Sequence, residues 1–248
     1  MLNQRLTAIL QLVNTKHQIA VTELAAVLNV SVVTIRKDLT TLEQQGLLRR
    51  QHGWAVQDAP DDLNARLAIN YAIKVKIAMV TADRVADGAT IMLDSGSTCA
   101  LLADQLGEQQ KNVTIVTNSY YIAHRVGDYP TLTVEVLGGQ YQPVAQVGVG
   151  PLTLHMLTAF HVHQLFVGTD GFDPQSGFSG RNLARNQVIQ AMARQADTVT
   201  LLTDSSKFQG PSLIQQFPLD QVDAVVTDQD LPSAIATMLR GALDLQLV

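Results

Sequence analysis

Six short apolar, β-branched runs recur between Thr90 and Thr227, each closed by a small polar loop and then a helical or turn-rich stretch. The runs are Thr90 to Leu93, Val113 to Thr117, Thr133 to Leu137, Leu165 to Gly168, Val199 to Thr203 and Ala224 to Thr227. Strand, loop and helix in repetition force a mostly parallel sheet, because parallel neighbours need a crossover that packs back onto the sheet face. The α/β class follows, with a doubly wound, mostly parallel sheet.

The segments after the strands carry the chemistry. They read Asp94, Ser95, Gly96, Ser97 and Thr98; then Asn118 and Ser119; Gly138 and Gly139; Thr169, Asp170 and Gly171; and Asp204 to Lys207. All five lie at carboxyl ends of strands, the rim on which ligands bind in open parallel sheets. The Asp94–Thr98 loop opens a helix, so free backbone N–H groups and three hydroxyls can hold a phosphate, and Lys207 adds a full positive charge. The same Gly, Ser and Asp residues also suit turns and helix caps whatever the function.

The front of the chain differs. Residues 1–57 carry six basic side chains against Glu23, Asp38 and Glu43, a net of plus three, whereas the remainder carries 11 basic and 19 acidic ones, a net of minus eight. A small anion-seeking module joined to an acidic body is the reading. Leu6, Ile9, Leu10 and Val13 form one helical stripe, and Leu24, Ala25 and Leu28 a second. Ser31 offers an N-cap to a third helix in which Ile35, Leu39 and Leu42 stack at i, i+4 and i+7 before Gly46 stops it. Val33, Lys37, Thr40 and Gln44 lie on its opposite face, flanked by Arg36 and Thr41. Two helices joined by a short turn, the second one polar, match the helix-turn-helix plan for entering a major groove. Ser31, Val33, Thr34, Lys37 and Thr40 are the candidate base or phosphate contacts, with Arg36 as a phosphate contact. "LLRRQHGWAV" then reads as strand, Gly turn and returning strand, a wing carrying Arg49, Arg50 and His52. A helical dimerisation module with a solvated face is the bland alternative.

"SVVTIRKDLTTLEQQGLLRRQHG" resembles the DNA-binding signature of the DeoR family of bacterial transcription regulators, with matches at Ser31, Thr34 to Leu39, Leu42, Gly46, Leu48, Arg50, His52 and Gly53. Trp54 stands where the family usually has a second glycine, which is expected to reshape the wing tip. The similarity continues through Arg66, Asn70 and Lys74, "DSGST", "VTNS", "LGG", "FVGTDG" and "DSSKF". It implies a C-terminal domain that resembles ribose-5-phosphate isomerase in fold and senses a phosphorylated sugar or related metabolite. It also implies double-stranded operator DNA as partner and a dimer or tetramer held by the C-terminal domains. The chain departs from the family at "RNQVIQAM": Arg185, with Arg181 nearby, serves an additional phosphate or carboxylate, or both lie on the solvated end of a helix.

The expected organisation is residues 1–57 as the winged helix-turn-helix, 58–70 as an exposed linker around Pro60 and its neighbouring aspartates, and 71–248 as the effector domain, with one long amphipathic helix running from Ala65 to near Gly88. No apolar run approaches membrane-spanning length, no signal peptide is evident, and the single cysteine, Cys99, forms no internal disulfide, so the cytoplasm is the expected compartment. Cys99 is expected to pack as a small apolar residue. His155, His161 and His163 lack Cys or acidic companions at useful spacing, so no metal and no cofactor is expected. Function then reads as a sequence-specific regulator, a repressor of a carbohydrate-metabolism operon, with a sugar-phosphate isomerase using Asp94, Asp204 and Lys207 as the enzyme alternative.

Overall fold

The computed structural model describes residues 2–57 and 63–248. The chain divides into two compact units, Met1–Ala72 and Ile73–Val248.

In the first unit, α1 (Gln4–Lys16) is capped by Asn3, whose side chain accepts from the Leu6 N–H, and it buries the stripe Leu6, Ile9, Leu10 and Val13. The strand β1 (Gln18–Ala20) leads into α2 (Val21–Val27) and α3 (Val32–Gln44). Each of these two helices ends in a Schellman motif. After α2, Asn29 takes φ 52° and the N–H groups of Asn29 and Val30 reach back to Ala26 and Ala25. After α3, Gly46 takes φ 70° while Gly46 and Leu47 reach Glu43 and Leu42. The strands β2 (Arg49–Gln51) and β3 (Trp54–Val56) form a hairpin, and β1 adds to its other side in the order β1-β3-β2.

The expected linker is corrected in part. Residues 58–62 lie outside the described residues, but α4 (Leu63–Ala68) is a helix whose Leu63, Ala65, Leu67 and Ala68 are buried. Asn14 Nδ2 on α1 donates to the Ala68 carbonyl at 2.8 Å, so this segment belongs to the first unit. The long helix expected up to Gly88 is interrupted where Asn70 takes φ 53°, and α5 (Tyr71–Arg84) starts afresh.

The second unit follows with β4 (Thr90–Leu93), α6 (Ser97–Glu108), β5 (Val113–Thr117), α7 (Tyr120–Val126), β6 (Leu132–Val136), β7 (Gln140–Gln142), β8 (Val147–Val149) and α8 (Pro151–Leu157). After these come β9 (Val162–Val167), β10 (Gly171–Asp173), β11 (Gly177–Gly180), α9 (Leu183–Ala193), β12 (Ala196–Leu202), β13 (Ile214–Phe217), β14 (Ala224–Thr227), α10 (Ser233–Arg240) and β15 (Asp244–Leu247). The main sheet has seven parallel strands in the order β15-β14-β12-β9-β4-β5-β6. Near-continuous burial along β4, β5 and β9 shows that both faces are covered. Three of the six expected strands keep their predicted limits, and β6, β9 and β12 start earlier than their runs of strong strand formers. Two small antiparallel sheets, β10-β11-β13 and β7-β8, and the edge strand β15 add to the predicted plan.

The chain winds from β4 through β5 to β6 in one direction and from β9 through β12 and β14 to β15 in the other. The topological switch point therefore lies between β4 and β9, where crossover loops leave in opposite directions and a crevice opens. No helix among the described residues is long and apolar enough to cross a membrane.

Candidate functional site

The first unit presents α3 as its polar face. Ser31 is the N-cap, accepting from the Thr34 N–H at 3.1 Å, and its hydroxyl lies 2.9 Å from that of Thr34. These two expected contact residues thus start the helix as well as line its exposed end. Ile35, Leu39 and Leu42 are fully buried, whereas Val33, Arg36 and Lys37 are exposed, Val33 to 62%. Asp38 interrupts the basic run, yet it is buried and takes a bidentate pair from Arg5 at 2.5 and 3.0 Å. That pair ties α1 to α3 and neutralises the acidic residue in the middle of the helix, leaving Arg36 and Lys37 to set the sign of the exposed face around them.

The wing is stapled to the same helix. The Arg50 N–H donates to Glu43 Oε1 at 3.1 Å, Arg50 Nε to Glu43 Oε2 at 2.7 Å, and Arg50 Nη1 to Thr40 Oγ1 at 3.0 Å. The Arg50 guanidinium holds the Glu43 carboxyl below the ordinary carboxylate range. Arg50 and Thr40, expected as open DNA contacts, are therefore engaged with each other and with Glu43, and fix the wing's position. Arg49 and His52 are exposed at the wing. His52 and Gly53 take φ 47° and 85°, the type I′ turn that suits a two-residue hairpin. Trp54 is extended, paired with Gln51 and Ala20, so the second glycine is not needed to close the turn. The expected change at the tip is instead a 43% exposed indole beside it.

In the second unit, β4 delivers Asp94 to the switch point. Its Oδ1 accepts from the Gly96 N–H at 2.6 Å and its Oδ2 from the Gly168 N–H at 3.2 Å, joining the loops after β4 and β9. A Cβ on Gly96 would lie 2.8 Å from Asp94 Oδ1 and 3.4 Å from the Gly168 nitrogen, so the close approach requires a residue without a side chain. Gly96 is also the N-cap of α6 and provides no side-chain acceptor. The N–H groups of Ser97 and Thr98 in the first turn of this 12-residue helix meet no acceptor among the described residues and can take an external one. Ser95, Ser97 and Thr98 sit beside them, largely buried, with hydroxyls that make no hydrogen bond among the described residues. Cys99, next along, is fully buried with Sγ 3.5 Å from the Phe166 carbonyl, a packing role.

The loop after β12 is organised by two carboxylates. Asp204 Oδ1 accepts from the Ser206 N–H at 3.2 Å and from the Ser206 hydroxyl. Asp228, buried at the end of β14, accepts from the Ser205 N–H and hydroxyl, both at 2.7 Å. Lys207 rides on the resulting 3-10 turn, half-buried, and its ammonium pairs with no carboxylate among the described residues. One strand, β9, separates β12 from β4, so the two loop bases stand ~10 Å apart, within reach of a lysine side chain and a small ligand between them.

The remaining expected residues divide. Asn118 exchanges two 2.9 Å bonds with Gly148, through its side chain and its carbonyl, and Ser119 caps α7. The Gly138 carbonyl accepts from Thr153 Oγ1 at 2.6 Å, and a Cβ on Gly139 would lie 2.1 Å from that oxygen. These four residues are consumed in packing β7, β8 and α8 onto the sheet end. The Asp170 carboxylate accepts from the Arg181 N–H at 3.1 Å, and Gly171 is pressed against residues 210–212. Arg181 is exposed ahead of α9, whereas Arg185 is buried in its first turn, which overturns the reading that places both on a solvated helix end.

Three constellations were not predicted. Asp228 has its partner in another loop. Gln216, buried on β13, donates to the Gly168 carbonyl at 2.9 Å and so supports the switch-point loop from the other side. Asp197 faces two histidines at once, Oδ1 to His161 Nε2 at 2.9 Å and Oδ2 to His163 Nδ1 at 2.6 Å, an acidic companion that sequence spacing did not supply. A cleft of about 700 Å³ between α9, β12 and β13 is lined by Gln190, Arg194, Asp197, Gln215, Gln216 and Asp223 among others. None of the residues expected to hold a ligand lines it.

Comparison with known proteins agrees with this division into a reader and a sensor. Residues 5–60 match the DeoR-like helix-turn-helix domain and residues 69–229 the DeoR C terminal sensor domain. The L-fucose operon activator of Haemophilus influenzae is 32% identical over 235 residues, covering 93% of this chain and 94% of the relative. The putative aga operon transcriptional repressor of Escherichia coli O157:H7 is 28% identical, covering 97% and 91%. Among solved structures, ribose 5-phosphate isomerase A of Methanocaldococcus jannaschii has a TM-score of 0.42 and 20% identity, over 56% of this chain and 55% of that one.

Proposed function

The chain belongs to the DeoR family of transcription regulators, and from that membership we propose that it is a cytoplasmic repressor of a carbohydrate operon, controlled by a phosphorylated sugar. The observation that carries the effector half is the pair of unbonded N–H groups of Ser97 and Thr98 that open α6, set beside the hydroxyls of Ser95, Ser97 and Thr98, which make no hydrogen bond among the described residues. N–H groups, helix dipole and hydroxyls together favour a multivalent oxyanion, and Lys207 stands at the far side of β9 to meet its second charge. Gly138 and Gly139 have no place in this contact set, because the loop after β6 stands two strand spacings from β4 on the opposite side and is filled by Thr153. Asp94 is a positioning residue, whose two carboxylate oxygens accept from the Gly96 and Gly168 N–H groups and join the two loops.

The DNA half rests on α3. Val33, Arg36 and Lys37 enter the major groove, with Ser31 and Thr34 at the leading end and Arg49 and His52 of the wing on the phosphates. One such reader covers few base pairs, so the working form is a symmetric dimer or tetramer on repeated half-sites. Relatives named for operon control include both an activator and a repressor, and repression is the reading supported by the aga operon relative.

Two measurements test this. The logarithm of operator affinity is expected to fall linearly with the logarithm of salt concentration, and Lys37→Ala to flatten the slope by about 1. A thermal-shift screen of pentose and hexose phosphates is expected to give a stabilising compound whose effect is lost in Lys207→Ala. An unchanged slope, or a stabilising hit indifferent to Lys207, sinks the corresponding half.

A further inference from the structure

We propose that the arm formed by β7, β8 and α8 is the surface through which two copies of the sensor unit associate. This rests on the paired-regulator reading and names the face that would do the pairing. From Val136 to Thr169 the chain contains no Asp, Glu, Lys or Arg, although 16% of all residues are charged. Residues 58–248 are net minus eight, so two copies of this segment repel each other overall, whereas this stretch carries no carboxylate to add to the repulsion. DNA requires cations that the arm lacks.

The arm is also apolar where it meets solvent. Tyr141 is 52% exposed, Val144 47%, Leu152 70% and Met156 39%. Leu152 and Met156 are four residues apart on α8 and share one face, while Thr153 and Leu157 on the other face are buried against the domain. The four exposed side chains present on the order of 400 Å² of largely apolar surface, about half of the ~800 Å² that each partner of a standard interface buries. Contact between the same patch on both copies satisfies a twofold axis without a second complementary surface.

Little ordering is required on association. The Asn118–Gly148 bonds, the Tyr120 N–H to Gln146 carbonyl bond at 2.9 Å, the Thr153 bond to Gly138 and the edge-on contact of Tyr120 with Tyr141 at 5.3 Å between ring centres already fix the arm. A rigid apolar face loses little conformational entropy when covered.

The test is sedimentation equilibrium of the full chain across a hundredfold concentration range. The wild type is expected at a multiple of 26.9 kDa. Leu152→Asp with Met156→Asp is expected to halve that mass, or to weaken association at least 100-fold, with far-UV circular dichroism retained. Tyr141→Ser, which removes bulk without adding charge, serves if the double variant fails to fold, and is expected to weaken association at least tenfold. Leu213→Asp, at an 80% exposed leucine outside the arm, is expected to leave the mass unchanged. A wild type that is monomeric throughout overturns the paired reading itself. An oligomer indifferent to the arm variants, or equally sensitive to Leu213→Asp, overturns only the assignment of this face.

Discussion

The carboxylate of Asp94 accepts a hydrogen bond from the backbone N–H of Gly168 at 3.2 Å, binding together the two loops that diverge at the switch point of the sheet. Its other oxygen holds Gly96 at 2.6 Å. Asp94→Asn turns one acceptor into a donor facing an N–H, so one bond becomes a repulsion with no room to relax. Urea unfolding is expected to show a loss of roughly 1–3 kcal/mol. The thermal shift by the phosphorylated effector is expected to disappear in the same variant; retention of the full shift removes Asp94 from its positioning role.

Arg50 and Glu43 make a second checkable pair, because this one of the wing's two arginines is already engaged with the helix. Arg50→Ala is expected to leave the salt slope of DNA binding nearly unchanged, while Arg36→Ala flattens it by about 1. Glu43→Gln is expected to steepen the slope by releasing Arg50 to phosphate, with a stability change below about 1 kcal/mol for so exposed a pair. Equal slopes for Arg50→Ala and Arg36→Ala contradict this assignment.

Gly139 has φ 146° and a virtual Cβ 2.1 Å from Thr153 Oγ1 and 2.6 Å from the Val149 carbonyl. Gly139→Ala is expected to cost about 3 kcal/mol or more in chemical denaturation, since backbone and a buried threonine must both move. A fully stable Gly139→Ala protein refutes the packing role given to this residue.

Burial raises the Asp104 carboxyl to about 6 despite Arg125 Nε at 2.6 Å. A carboxyl that holds its proton more tightly when folded than when unfolded contributes stability that is complete below about pH 4 and is lost as pH rises through about 6. Asp104→Asn removes this dependence. The stability of the wild type relative to the variant is expected to fall by roughly 2 kcal/mol between pH 4 and pH 7.5. A constant difference between the two proteins across that interval overturns the assignment.

Much of the reader unit was legible locally. Ser31 as cap, Ile35, Leu39 and Leu42 as the buried face, Gly46 as the stop and Gly53 in the wing turn all follow from spacing and backbone preference, and each stands as expected. The strand β1 did not announce itself, because three residues carry too little periodicity and its pairing is with β3, far along the chain. Asn70 is a similar case: nothing in the apolar pattern of 65–88 marks the residue that turns left-handed and divides the helix.

Sequence alone therefore determined the class of the sheet, its rim loops, the basic helix and the sign of its charge, since these depend on periods of two and of 3.6 residues and on composition. Tertiary structure decided which rim residues remain available. Asp94 and Gly168 are 74 residues apart, Ser205 and Asp228 23, and Asn118 and Gly148 30, and a short-range pattern cannot specify such partners. Whether a polar side chain faces a ligand or a neighbouring loop is settled only when the strand order brings distant backbone N–H and C=O groups within 3 Å of it, because a buried donor or acceptor must then be satisfied by whatever arrives.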